Sequence, residues 1–271
     1  MFDHVRVLIK GAGDLATGVA VRLWRSGFPV VMTELAQPLT IRRTVAFAEA
    51  VYAGEVKVEE IAARRVSDLA EIEPAWQASV IPVLTGCDEA CVAAVKPEVV
   101  VDAILAKRNI GTRLTDAPFV VGLGPGFTVG QDVHAIVETK RGHYLGRVLW
   151  NGSAQPDTGV PGDMAGFGRE RVIYAPADGV FEHRQEIGER VNAGEVVGLA
   201  GQTPVFAPIT GVVRGLIHDG VMVRTGLKIG DVDPRAAPDH CCTISDKALA
   251  IGGGVLEAIL IHLRRGNDAT T

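Results

Sequence analysis

Hydrophobic and polar positions along the first hundred residues alternate between two periods. Residues 5–10 (Val5-Arg6-Val7-Leu8-Ile9-Lys10) are a short, mostly apolar run of strand length. Residues 19–26 carry apolar side chains at helical spacing until Gly27 stops them, and a β-branched run at 30–33 is closed by Glu34. The rhythm continues with a helix at 44–52, a partly helical segment at 68–77 interrupted by Pro74, and a strand at 80–84. A helix at 88–95 ends before Pro97, and strands follow at 98–104 and 119–123. Such alternation predicts an open parallel sheet. Residues 151–162, rich in glycine and proline, mark the end of this unit.

From residue 175 the pattern changes to short apolar stretches between glycine turns, and it repeats. Ala175-Pro176-Ala177-Asp178-Gly179-Val180 returns as Ala207-Pro208-Ile209-Thr210-Gly211-Val212, an offset of 32 residues. Val191-Asn192-Ala193-Gly194 is answered by Val223-Arg224-Thr225-Gly226 at the same offset. Two half-motifs in register predict a duplicated β unit, and the pattern resembles biotinyl and lipoyl carrier domains. Their modified lysine sits on the hairpin between the halves. Here that hairpin reads Gly201-Gln202-Thr203-Pro204, and Lys228 is the only lysine of the repeat, so no covalent biotin or lipoyl group is expected. A final helix is predicted over 248–265, with Ser245 as its cap and Asp246 at its positive end. The run Gly252-Gly253-Gly254 inside it leaves two readings open, a break or very close packing.

The expected fold class is therefore α/β. A Rossmann-like parallel-sheet domain (1–165) precedes a small duplicated β barrel-sandwich of biotinyl/lipoyl-like type (170–235). A C-terminal helical segment (240–271) is expected to pack back on the first domain.

Composition narrows the function. The 271 residues have a net charge of −5, which argues against nucleic acid and anionic membranes as partners. Aromatic residues at 5% offer no stacking platform for single strands. The N-terminal residues lack the pattern of a signal peptide, and the apolar stretch 251–263 is too short for a bilayer. Cys87, Cys91, Cys241 and Cys242 match neither a zinc pattern nor a disulfide scaffold, so reduced thiols and a cytoplasmic setting are expected.

The clearest chemistry lies at the first strand-to-helix turn. Gly11, Gly13 and Ala16 form G-x-G-x-x-A after a strand, and Glu34 stands 21 residues beyond Gly13 at the end of the next strand. This is the order of a dinucleotide-binding turn. Gly11 permits the tight turn, Gly13 admits a pyrophosphate, small Ala16 packs helix on strand, and Glu34 suits a ribose diol. The alternative is a glycine-rich packing turn that binds nothing. Asp14 would repel a pyrophosphate unless paired or turned away, and Arg42 offers a phosphate contact or a solvated helix start.

Asp102 and Lys107 follow a strand's carboxyl end, where open sheets bind ligands. Gly124 and Gly126 belong to a second glycine turn able to form an anion nest. Asp132, His134, Glu138, Arg141 and His143 crowd together in sequence, but their spacing matches no metal pattern, and no metal is expected.

Four segments carry a family resemblance: Lys10-Gly11-Ala12-Gly13-Asp14-Leu15-Ala16-Thr17-Gly18, Asp102-Ala103-Ile104-Leu105-Ala106-Lys107-Arg108-Asn109, Gly122-Leu123-Gly124-Pro125-Gly126-Phe127-Thr128 and Thr243-Ile244-Ser245-Asp246-Lys247. Together they resemble the YqeB-type accessory proteins of selenium-dependent molybdenum hydroxylases, related to the xanthine dehydrogenase accessory proteins. The resemblance implies a maturation factor that holds a nucleotide or molybdopterin-nucleotide ligand and serves a molybdenum hydroxylase apoenzyme. Molybdopterin cytosine dinucleotide and NAD(P) are the candidate cofactors, and a homo-oligomer is open. Handling of sulfur or selenium would need a thiolate, and Cys241, beside the last motif, is the candidate; its alternative is apolar packing. An NAD(P)-dependent oxidoreductase and a non-enzymatic adaptor are the rival functions.

Overall fold

Seven parallel strands form the middle of a nine-stranded sheet in a computed structural model, which describes residues 2–86, 89–159, 162 and 165–268. In chain order the strands are β1 (Val7–Lys10), β2 (Val30–Glu34), β3 (Glu55–Val58), β4 (Ile61–Val66), β5 (Ile81–Thr85), β6 (Val99–Asp102), β7 (Phe119–Leu123), β8 (Ala135–Val137) and β9 (Val148–Leu149). Across the sheet they lie β3-β4-β5-β2-β1-β6-β7-β8-β9. The run from β4 to β8 pairs in parallel, whereas β3 with β4 and β8 with β9 are antiparallel. After β1 the chain builds one side of the sheet, then returns past β1 to place β6 on the other. The direction of winding reverses between β1 and β6, which opens a crevice beyond the carboxyl ends of these strands.

The helices are α1 (Asp14–Arg25), α2 (Ala50–Ala53), α3 (Ile72–Gln77), α4 (Glu89–Val95), α5 (Asp239–Cys242) and α6 (Asp246–Asp268). α6 lies on α1, and apolar side chains such as Ile251, Val255 and Ile259 join the core beneath the sheet's helical face. Small residues set this contact. A Cβ on Gly18 would stand 2.6 Å from Cβ of Ala248, and one on Gly252 would stand 2.8 Å from the carbonyl of Gly18. A Cβ on Gly254 would collide with the Gly146 carbonyl. Of the two readings of the glycine run, close packing is the observed one: α6 continues unbroken through it. Gly253 alone of the three meets nothing within 4 Å. Gly253→Ala is therefore expected to stabilise the fold by up to about 1 kcal/mol, read as a higher Tm. A fall in Tm would show that the surroundings of Gly253 are tighter than described.

The repeat supplies β10 (Val172–Tyr174), β11 (Gly179–His183), β12 (Arg190–Val191), β13 (Val196–Ala200), β14 (Thr203–Phe206), β15 (Gly211–Leu216), β16 (Met222–Val223) and β17 (Lys228–Asp233). They form two four-stranded antiparallel sheets, β10-β17-β15-β12 and β14-β13-β11-β16. A shift of 32 residues carries β11 onto β15, β12 onto β16 and β13 onto β17. It thereby maps one sheet onto the other, so each sheet draws strands from both halves. Phe181, Val197, Val213, Leu216 and Ile229 fill the space between.

The expected fold class needs correction. The large sheet is mixed, not a Rossmann-like parallel sheet. Its edges are antiparallel, and β6, β7 and β8 follow one another without an α-helix between them. The hairpin β3-β4 was missed because its alternating residues sit at a half-exposed edge and turn on Glu59 and Glu60 without glycine. Nor do the two small sheets follow as a separate carrier-like module. Leu216 donates its N–H to the Ile41 carbonyl at 2.7 Å, and Arg43 Nε donates back to the Leu216 carbonyl at 2.8 Å. Tyr52 also stacks on His218, their ring centroids 3.8 Å apart. Among the described residues no helix is long and apolar enough to cross a membrane.

Candidate functional site

The chain leaves β1, β2 and β6 around a cavity of about 930 Å³. At the end of β1, Gly11 has φ +92°, and a Cβ there would stand 3.2 Å from the Ala103 carbonyl. Only glycine lets the turn after β1 lie this close to the segment after β6. Gly13 is the N-cap of α1; it has extended backbone and no side chain to cap the helix. Asp14, Leu15 and Ala16 of the first turn line the cavity. The positive end of α1 therefore opens onto it.

Glu34 lines the same space, but both of its oxygens are already engaged. Oε2 accepts from the Ala12 N–H at 2.9 Å and Oε1 from the Leu35 N–H at 2.8 Å. It fastens the glycine turn to the end of β2 and keeps lone pairs for a further donor. Four large apolar side chains of the surrounding segments, Leu35, Leu39, Ile104 and Ile110, are between 42% and 64% exposed. Three of them come from stretches without any sequence motif. Such a concentration marks a surface that something covers.

Asp102, expected to face a ligand, is buried and serves the loop beyond β6. Its Oδ1 accepts from the Ile104 N–H at 3.1 Å and its Oδ2 from the Thr112 hydroxyl at 2.6 Å. Lys10 completes this network, donating to Thr112 Oγ1 at 2.9 Å and to Asp116 Oδ2 at 2.6 Å. Within that loop Leu105 and Lys107 hold φ of +61° and +63°, a conformation that bulky residues adopt only when their surroundings enforce it. Asn109 contributes by accepting from the Gly111 and Thr112 N–H groups and donating to Asp132 at 2.8 Å. Sequence reasoning missed Lys10, Thr112 and Asp116. A lysine ending an otherwise apolar strand was the available signal.

Asp14 is paired, with its Oδ2 3.4 Å from Arg42 Nη1, and Arg42 also donates to the His240 carbonyl at 3.0 Å. Ala16 is buried against the sheet, as a small residue there should be. Gly124 and Gly126 do not line this cavity; their turn reaches an adjoining cleft through Pro125. A Cβ on Gly126 would stand 2.7 Å from the Arg108 backbone, and one on Gly124 would strike the Thr139 hydroxyl. They are small because neighbouring chain crosses them. Lys107 is exposed and faces an adjoining cleft.

The polar groups after β7 are dispersed into structural bonds. His134 Nδ1 accepts from the Val120 N–H at 3.0 Å, and Glu138 accepts from the N–H groups of Lys140 and Gln155. Arg141 forks onto Asp246 at 2.7 and 2.9 Å and holds that carboxyl well below the usual carboxylate range. Among the described residues no group of three or more His, Cys, Asp or Glu side chains is placed to hold a metal.

Cys241 does not have the surroundings of a reactive thiolate. It is buried, and burial, followed by the neighbouring Cys242, pushes its thiol up from the ordinary value, against the pull of Arg214 and Arg42. Its Sγ lies 3.7 Å from the Val213 carbonyl. Cys242 is exposed, and Cys87 lies outside the described residues. In the folded protein, iodoacetamide near neutral pH is expected to label Cys242 well before Cys241, as peptide mapping would show. Faster labelling of Cys241 would restore it as a thiolate candidate.

No family model matches the chain. It is 49% identical over 269 residues, 98% of its length, to "Uncharacterized protein YqeB" of Escherichia coli (strain K12), and it spans 49% of that protein. The chain thus covers about half the length of the curated relative it matches. Among solved structures it is similar to an aspartoacylase family protein from Mesorhizobium loti, at 10% identity, with 84% of each chain covered and a TM-score of 0.27. It is also similar to a succinylglutamate desuccinylase from Silicibacter sp. TM1040, at 15% identity, with 86% and 85% covered and a TM-score of 0.24. At such scores these structures carry neither fold nor activity to this chain. The name of the Escherichia coli relative states no molybdenum hydroxylase role, no dinucleotide-dependent activity and no carrier function. No finding thus carries the accessory-family assignment, the maturation role or the oxidoreductase and adaptor alternatives, and they are set aside.

Proposed function

We propose that this chain binds a phosphorylated small molecule with an apolar body, of which a mononucleotide is the simplest example. The observation that carries the proposal is a single cavity bordered by an uncapped helix start on one side and four exposed apolar side chains around it. The phosphate lies against Gly11, Gly13 and the first turn of α1 through Ala16, where free N–H groups and the helix dipole favour an anion. Arg42 offsets the Asp14 carboxylate that would otherwise oppose it. The apolar body meets Leu39, Ile104 and Ile110, and Glu34 accepts from hydroxyls of the ligand. Asp102 acts from behind, by holding the loop that carries Ile104 and Ile110. A cytoplasmic setting belongs to the same reading, supported by the unbridged thiols of Cys241 and Cys242.

Calorimetric titration with AMP and with adenosine tests this directly. AMP is expected to bind at least tenfold more tightly than adenosine, and Ile110→Glu is expected to remove AMP binding without loss of Tm. Equal binding of the two probes, or undiminished binding by Ile110→Glu, would overturn the proposal.

A further inference from the structure

A second cavity of about 410 Å³ adjoins the first, and Asp14, Leu15, Ile41 and Arg42 line both. It forms where the start of α1, the turn at Pro125, the chain after β8, strand β17 and the start of α6 converge. Eight of its described lining residues are lysine or arginine and three are aspartate, in a chain whose net charge is −5. This concentration is the reverse of the chain's overall balance. Coulomb repulsion among cations gathered in a cleft is costly unless a counter-charge sits among them.

The described residues supply only part of that counter-charge. Lys107, Lys140 and Lys247 make no ion pair with any described residue. Arg42 and Arg171 are each about nine-tenths buried, 9% of either side chain being exposed. Each has a carboxylate partner, yet each leaves Nε without a hydrogen bond. A buried guanidinium with an unused donor is unsatisfied. Lys247 shows the strain of the arrangement: burial first, then the charges of Lys107 and Arg141, hold its ammonium below the ordinary lysine value.

We infer that this cavity is a binding site for an oligophosphate, two or more linked phosphates whose several charges answer the surplus of cations. A single carboxylate would balance one charge. A chain of phosphates places several within the length of the cleft, and guanidinium forks match their oxygens in pairs. The inference goes beyond the reading of the larger cavity and stands without it, because none of its support comes from the apolar residues there. Since Asp14 and Arg42 border both cavities, a phosphate chain attached to an apolar body could extend from one into the other.

The probes are inorganic tripolyphosphate, orthophosphate and citrate, titrated by calorimetry into the wild-type chain, the Lys107→Ala/Lys247→Ala variant and Ile110→Glu. Tripolyphosphate is expected to bind one to one, at least tenfold more tightly than orthophosphate or citrate, and more weakly as salt is added. The double lysine variant is expected to lose at least tenfold in tripolyphosphate affinity at unchanged Tm, while Ile110→Glu keeps wild-type affinity. Absence of saturable binding, unchanged affinity in the double variant, or citrate binding as tightly as tripolyphosphate would overturn the inference. ATP separates the two sources of such a group. Tighter binding than tripolyphosphate, with the advantage lost in Ile110→Glu, marks an oligophosphate carried by a larger ligand; equal binding marks a free one. Failure of AMP with success of tripolyphosphate would reject the reading of the larger cavity and leave this one intact.

Discussion

Replacing Arg171 with methionine is expected to cost about 3–5 kcal/mol of stability, the usual penalty for stranding one member of a buried ion pair. Arg171 Nη1 and Asp231 Oδ2 are 3.0 Å apart, with side chains only 9% and 6% exposed. Asp231 has little else to lean on. Its Oδ1 has no hydrogen bond, and Lys228 Nζ stands 3.9 Å from Oδ2. Removal of the guanidinium leaves a desolvated carboxylate, whereas Arg171→Met with Asp231→Leu removes both charges and should recover most of the loss. Urea unfolding of the two variants decides the matter. Equal destabilisation by the single and the double change would mean that packing of the arginine stem, not the charge, carries the effect.

Gly18→Val is expected to be nearly as damaging, by about 3 kcal/mol, at the upper end of what overpacking costs. The first added carbon would fall 2.6 Å from the Ala248 side chain and 2.9 Å from its backbone, before the two methyl groups of valine are counted. α1 and α6 would have to move apart, exposing the apolar side chains that α6 lays on the sheet. Ala248→Gly should rescue only a fraction, because the α6 backbone remains in the way. Full rescue would place the whole clash on one methyl group, and no loss at all would show that the helices are not in contact here.

Local pattern carried the opening of the fold well, as far as β2, and the rest unevenly. The strand at the N-terminus, the glycine turn and Glu34 at the end of β2 form one short-range unit whose signals lie within a few residues of their effect. Even there the helix was started too late. α1 begins at Asp14, because Gly18 is a contact residue inside the helix and not part of the loop. The 32-residue repeat was legible as well, since duplication is visible without knowing what it packs against. How its sheets join the large one depends on Ile41 and Leu216, 175 residues apart in sequence, and no local pattern announces that. The helix expected at 44–52 is mostly two short 3₁₀ turns, at Arg43–Val45 and Phe47–Glu49, because this stretch is held by bonds to other segments. One of these is Thr44 Oγ1 to the Cys241 carbonyl.

The candidate site divides in the same way. Gly11, Gly13, Asp14, Ala16 and Glu34 announce themselves by spacing, and the structure brings them to one cavity. Lys10 meets Thr112 and Asp116 across 102 and 106 residues of chain, so its role shows only when β1 and the loop after β6 are side by side. Gly124 and Gly126 were legible as special residues but not in purpose. Their neighbours Thr139 and Arg108 decide it. The basic cavity was invisible, since its cations come from segments scattered between Arg42 and Lys247.

An amide-resolved NMR titration with AMP, on the wild-type chain and on Gly13→Val, tests the central claim most directly. Gly13 has an unstrained φ of −65°, and a Cβ there would meet nothing closer than Thr40 Oγ1 at 3.7 Å. The variant should therefore fold with at most about 1 kcal/mol lost at the helix cap, while its side chain intrudes where the phosphate belongs. The expected result is saturable shifts of the Gly11, Gly13, Leu15, Ala16 and Ile110 amides in the wild type and none in the variant. Shifts elsewhere in the chain, or an equal response from a folded Gly13→Val protein, would contradict the account.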